Sequence, residues 1–119
     1  MKSAGAIEAL GALAHEHRLG VFRLLVERGP DGLPAGMIAE RLRLAPSSLT
    51  FHLQALQRAG MVRQRRASRQ LIYTADFAAM NDLLGYLTRN CCGQGAACGP
   101  ACAPASTSAV RKPRRRAAA

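Results

Sequence analysis

The stretch LAPSSLTFHLQALQRAGMVRQRR (44–66) decides the fold. In its first half Leu49, Leu53 and Leu56 recur at i, i+4 and i+7, the buried face of a helix. Pro46, Ser47 and Ser48 precede that face as a start signal. Either serine is suited to cap the helix by accepting a hydrogen bond from an orphan backbone N–H. Gly60 stops it. The period then changes. Val62, the basic polar run RQRRASR (63–69) and Leu71, Ile72, Tyr73 and Thr74 predict a two-strand hairpin with β-branched and aromatic residues in its arms.

Upstream, LPAGMIAERLRL (33–44) predicts a short helix with Ile38, Ala39 and Leu42 inward and Glu40, Arg41 and Arg43 toward water. Before it, IEALGALAHEHRLGVFRLLVERG (7–29) has helical spacing in two parts. Ile7, Leu10 and Leu13 form one stripe, suited to packing against a partner. Leu19, Phe22, Leu25 and Val26 form another, with a break near Ala14–Glu16. GPDG (29–32) is a strong stop. Downstream, FAAMNDLLGYLTRN (77–90) returns to helix with Phe77, Met80, Leu83, Leu84 and Leu87 on one side. The expected fold is mainly α with a small β-hairpin, a winged helix-turn-helix.

This organisation gives a winged helix-turn-helix domain over 1–90, a cysteine-rich segment over 91–102 and a flexible basic tail over 103–119. After Asn90 the composition falls to Gly, Ala, Pro, Ser and Cys, a low-complexity pattern. The 119 residues suffice for one small domain, and the net charge of +10 favours a polyanionic partner. Half of that excess lies in RKPRRR (111–116), suited either to unspecific DNA affinity or to solvation. No apolar run is long enough to span a membrane, and the start lacks the layout of a secretory signal. A cytoplasmic location is expected, with reduced thiols.

The candidate DNA contacts follow from placement. Ser47, Ser48, Thr50, Phe51 and Gln54 occupy the open faces of the second helix, where hydroxyls and an amide reach base edges and Phe51 meets a thymine methyl. Arg63, Arg65, Arg66 and Arg69 lie on the hairpin, suited to phosphates or the minor groove. Taken singly, a hydroxyl-rich helix start is a cap and an arginine run is an edge that blocks sheet pairing. Their order in a basic chain favours DNA. His52 lies beside the leucine face. With no second ligand at i+3 or i+4, it is expected to serve a structural hydrogen bond rather than a metal.

LAHEHRLGVFRLL (13–25), the 44–66 stretch and the short terminal helix together resemble the ArsR/SmtB family of bacterial metal-responsive and metalloid-responsive repressors. The resemblance covers roughly residues 5–92. It implies a homodimer built through the first and last helices, bound to an inverted-repeat operator and released by a metal or metalloid. GLPAGMIAE (32–40) lacks the cysteine many members carry there, and FAAMNDLLGYLTRN has Asp82 but no histidine. A branch of arsenic-responsive members is similar in carrying a cysteine pair just after the last helix and a third cysteine beyond.

All four cysteines lie in NCCGQGAACGPAC (90–102), as Cys91, Cys92, Cys98 and Cys102. Thiolates select soft ions. Arsenite and antimonite take three sulfurs in a pyramid, so Cys91, Cys92 and Cys98 are the expected As(III) or Sb(III) ligands, with the ion acting as inducer and no permanent cofactor. A four-cysteine zinc site is the alternative, although CC-x5-C-x3-C is not the paired spacing of zinc ribbons. A redox switch through Cys98 or Cys102 is another. An arsenate reductase or metallochaperone has no supporting nucleophile–base pairing, so no enzyme activity is expected.

Overall fold

The computed structural model describes residues 1–91. The chain divides into two units, Met1–Tyr86 and Leu87–Ala119. The first unit opens with two helices, α1 (Ser3–Leu13) and α2 (Glu16–Arg28), broken where the sequence predicts. Next come a two-residue strand β1 (Leu33–Pro34), α3 (Ala35–Leu42) and α4 (Pro46–Arg58). The hairpin β2 (Val62–Ala67) and β3 (Gln70–Ala75) leads into α5 (Phe77–Thr88).

The hairpin is part of a three-stranded antiparallel sheet of order β1-β3-β2. Leu33 and Pro34 pair with Tyr73 and Ile72, a strand too short to announce itself by periodicity. Pro34 lacks an N–H and fits an edge position. Gly32 makes this pairing possible. Its φ is +72°, and a Cβ there would lie 2.5 Å from the Tyr73 carbonyl oxygen. The basic tip is also shorter than expected. Arg63, Arg65 and Arg66 lie within β2, and only Ser68 and Arg69 form the connection between paired Ala67 and Gln70.

Leu25, Ile38, Leu49, Leu53, Leu56, Met61 and Val21 are fully buried and join α2, α3, α4 and the start of the hairpin. Met61 ties the layers: its N–H donates to Leu56 O and its carbonyl accepts from Asp76 N–H. Asp76 Oδ1 in turn accepts from Ala79 N–H, the cap of α5. The first helix buries alanines instead. Ala6, Ala9 and Ala12 meet the core, while Ile7 and Leu10 are 67% and 41% exposed. The α5 stripe also divides, with Leu83 buried, Phe77 and Met80 half-buried and Leu84 exposed.

Candidate nucleic-acid interface

A three-residue turn, Arg43 to Ala45, joins α3 to α4. Arg43 takes the left-handed conformation, φ 56°, and Leu44 N–H closes the helix end on Ala39 O. The N-terminus of α4 corrects the expected serine cap. Ala45 is the N-cap and Pro46 opens the helix, so Ser47 and Ser48 stand inside the first turn without a capping bond. Proline favours this first position because its missing N–H is an orphan there anyway.

Ser47, Ser48, Thr50, Phe51 and Gln54 are all exposed on α4. The leucines of the same helix hold it against the core, so this face is presented by packing rather than by chance. The Thr50 hydroxyl donates to Pro46 O at 2.9 Å. It therefore offers outside contacts an oxygen acceptor and a methyl rather than a hydroxyl donor.

The arginines of the hairpin are exposed but do not share one face. Neighbouring residues on a strand point to opposite faces. Arg66 therefore shares a face with Val62 and Gln64, and Gln57 Nε2 on α4 donates to Gln64 Oε1 at 2.8 Å. Arg63 and Arg65 belong to the other face. The Arg65 guanidinium donates to Asp31 O at 2.9 Å, fastening the strand to the turn before β1. Arg28 Nε donates to Gly32 O in the same turn. Between the hairpin and the helices lies an open cleft of about 710 Å³, lined by residues including Met37, Thr50, Arg69 and Leu71.

The cysteine segment is described only at Cys91. It is half-buried, and its N–H donates to Thr88 O at 3.0 Å in the turn after α5. Cys92, Cys98 and Cys102 lie outside the described residues, as does RKPRRR. No helix among the described residues is long and apolar enough to cross a membrane.

His52 departs from expectation. It is buried, but its Nδ1 has no hydrogen-bond partner among the described residues. Its neighbours are His15 and His17, with ring centroids 4.7 and 5.6 Å away. A search along α4 for a second imidazole misses them because they arrive from the α1–α2 junction. The available signal was HEH (15–17) in a chain with only three histidines. Among the described residues, no three His, Cys, Asp or Glu side chains are placed to hold a metal ion, this cluster included.

Residues 13–65 match the family model described as a helix-turn-helix domain. The chain is 32% identical over 90 residues to the transcriptional activator HlyU of Vibrio cholerae, spanning 76% of this chain and 81% of that one. An ArsR-like transcriptional regulator from Rhodococcus sp. RHA1 superposes with a TM-score of 0.65 at 29% identity, covering 72% of this chain and 78% of the other. The homodimeric winged helix-turn-helix DNA-binding domain of Mb0332 from Mycobacterium bovis shares the fold, with a TM-score of 0.58 at 24% identity over 73% and 81% of the chains.

Proposed function

The chain belongs to the ArsR/SmtB family of winged helix-turn-helix transcriptional regulators, and from that premise we propose that it is a homodimeric repressor whose operator is released by arsenite or antimonite. The observation that carries DNA binding is the pairing of a polar outer face on α4 with the cationic strand beside it. Ser47, Ser48, Phe51 and Gln54 meet base edges in the major groove, and Thr50 accepts from a base or phosphate-bound water. Arg66 and Arg69 meet phosphate or the minor groove. Arg65, on the other face of the strand, holds the 29–32 turn.

Dimerisation uses the exposed Ile7 and Leu10 of α1 and Leu84 of α5. Large apolar side chains exposed on both terminal helices suit a self-complementary contact with a second copy. The homodimeric Mb0332 domain supports this reading. Two copies then set their α4 helices about 34 Å apart on an inverted repeat.

The sensing site is Cys91, Cys92 and Cys98. The support is chemical: soft thiols gathered in one segment that begins at the turn after α5, a helix of the proposed dimer contact. Pyramidal As(III) or Sb(III) coordination orders that segment and biases the dimer toward an arrangement with the wrong half-site spacing. A coupling of about 1–3 kcal/mol suffices for allosteric control.

Fluorescence anisotropy of a labelled promoter fragment tests the reading. Arsenite or antimonite releases the bound fragment, zinc does not, and Cys92→Ser binds DNA but ignores arsenite. Release by zinc alone moves the site to a four-cysteine tetrahedron. Arsenite release from the Cys92→Ser protein rules out the three-thiol site. The name of the Vibrio relative favours a second output, activation, which a promoter–reporter assay separates from repression.

A further inference from the structure

The chain's three histidines come from two distant segments, yet their rings form one cluster. Centroids lie 4.7 Å apart for His15 and His52, and 5.6 Å apart for each of the other two pairs. His52 sits on the inner side of α4 at 8% exposure, one residue after Phe51, whose ring meets it edge-on at 5.7 Å. Two buried nitrogens in this region, His52 Nδ1 and Arg18 Nε, have no hydrogen-bond partner among the described residues. His15 caps α2: its Nδ1 accepts His17 N–H at 3.1 Å. An imidazolium has no lone pair and cannot accept that bond.

We propose that His15, His17 and His52 form a proton-sensitive latch that seats α4 on the α1–α2 junction and withdraws the DNA-reading face on acidification. The inference rests on reading α4 as the DNA-contacting helix. Neutral imidazoles pack against one another. Protonated ones repel each other and Arg18, and His15 loses its role as cap. α4 packs against α1, α2, α3 and β2. From these elements and the α1–α2 junction, the charged groups acting on His52 are His15, Arg18 and His17, with no carboxylate among them. Burial, followed by those three groups, holds His52 below its ordinary value of 6.5.

The sign follows from linkage. Because the seated His52 has the lower pKa, its neutral packing contributes fully above the ordinary value of 6.5. As pH falls below that value, the unseated imidazole takes the proton first and seating weakens.

The test is operator anisotropy at fixed ionic strength from about pH 8 to about pH 5.5, with a chelator and a thiol reductant present. Thermal melts of the DNA-free full chain cover the same range. The wild type is expected to lose affinity and to melt lower on acidification. The double variant His15→Asn, His17→Gln keeps an N-cap acceptor, changes two exposed positions and removes two of the three charges. Its two profiles should fall less steeply than those of the wild type, because burial and Arg18 still act on His52. Wild-type affinity that rises or stays constant as pH falls overturns the latch, as does the same loss in the double variant. If the protein binds no fragment even at about pH 8, the DNA-binding reading fails, and the melts alone decide the latch: equal acid loss of melting temperature in both proteins overturns it.

Discussion

Helices α4 and α1 divide their side chains between core and solvent in opposite ways. The longer helix buries Leu49, Leu53 and Leu56 and presents serines, a threonine, Gln54 and the lone large ring of Phe51. The first helix buries Ala6, Ala9 and Ala12 and presents Ile7 and Leu10. Small residues toward the core let α1 lie close, while its largest apolar groups remain outside. A polar outer face with arginines beside it suits a polyanion, and an apolar one suits a second copy of the chain. On the proposed reading the two helices serve different partners from one core, and substitutions on them should separate folding, assembly and DNA binding.

The largest effect belongs to the inner face of α4. Leu53→Ala or Leu56→Ala empties a fully packed position and should cost about 2–5 kcal/mol. Urea denaturation of the protein checks this, and DNA binding should fall with the folded fraction. If either variant kept its stability, the leucine face would not be what holds the reading surface.

The outer face of α1 should respond differently. Ile7→Glu with Leu10→Glu should leave the helical circular dichroism intact and shift sedimentation from dimer to monomer. Burying each large apolar side chain is worth about 1.5–3 kcal/mol, and a two-fold contact counts each position twice. Dimer affinity should therefore drop by at least about a hundredfold. An unchanged dimer would move the self-association face elsewhere.

The wing sharpens the comparison on a finer scale. Arg66→Ala should lower the slope of log affinity against log salt by about 0.9 for each phosphate left without its cation. Arg65→Ala should leave the slope nearly unchanged and lower the melting temperature instead, because its guanidinium is bound to the Asp31 carbonyl. Equal salt slopes for the two variants would erase the distinction between the faces of β2.

The smallest effect is a rise in stability. Arg43→Gly relieves a left-handed residue between the two helices, a conformation that costs a non-glycine residue roughly 1–2 kcal/mol. Added flexibility of the unfolded chain offsets part of this. The melting temperature should rise by about 4 °C or more for each kcal/mol of net stabilisation.

Much of this comparison was legible in the sequence where the pattern is local. The α4 leucines, the break between α1 and α2, the arginine-rich hairpin and the apolar terminal helix all follow from spacing over a dozen residues. The serine cap was misplaced because Pro46 opens the helix and puts the N-cap at Ala45, two positions before Ser47. Strand β1 was missed because two residues carry no period. Arg63, Arg65, Arg66 and Arg69 read as one basic cluster, since a charge run does not state which way each side chain leaves the strand.

By itself, then, the order of residues determined the element sequence, the inner face of α4 and the gathering of every thiol after the last helix. Hydrophobic period, turn chemistry and composition are properties of neighbouring residues. Only the tertiary structure decided that α1 meets the core through alanines, that Arg65 fastens a turn 34 positions away and that His15 and His17 meet His52. Those outcomes depend on which distant segments pack together. Burial of a shared apolar core sets that choice, and the polar groups then take the neighbours the packing leaves them.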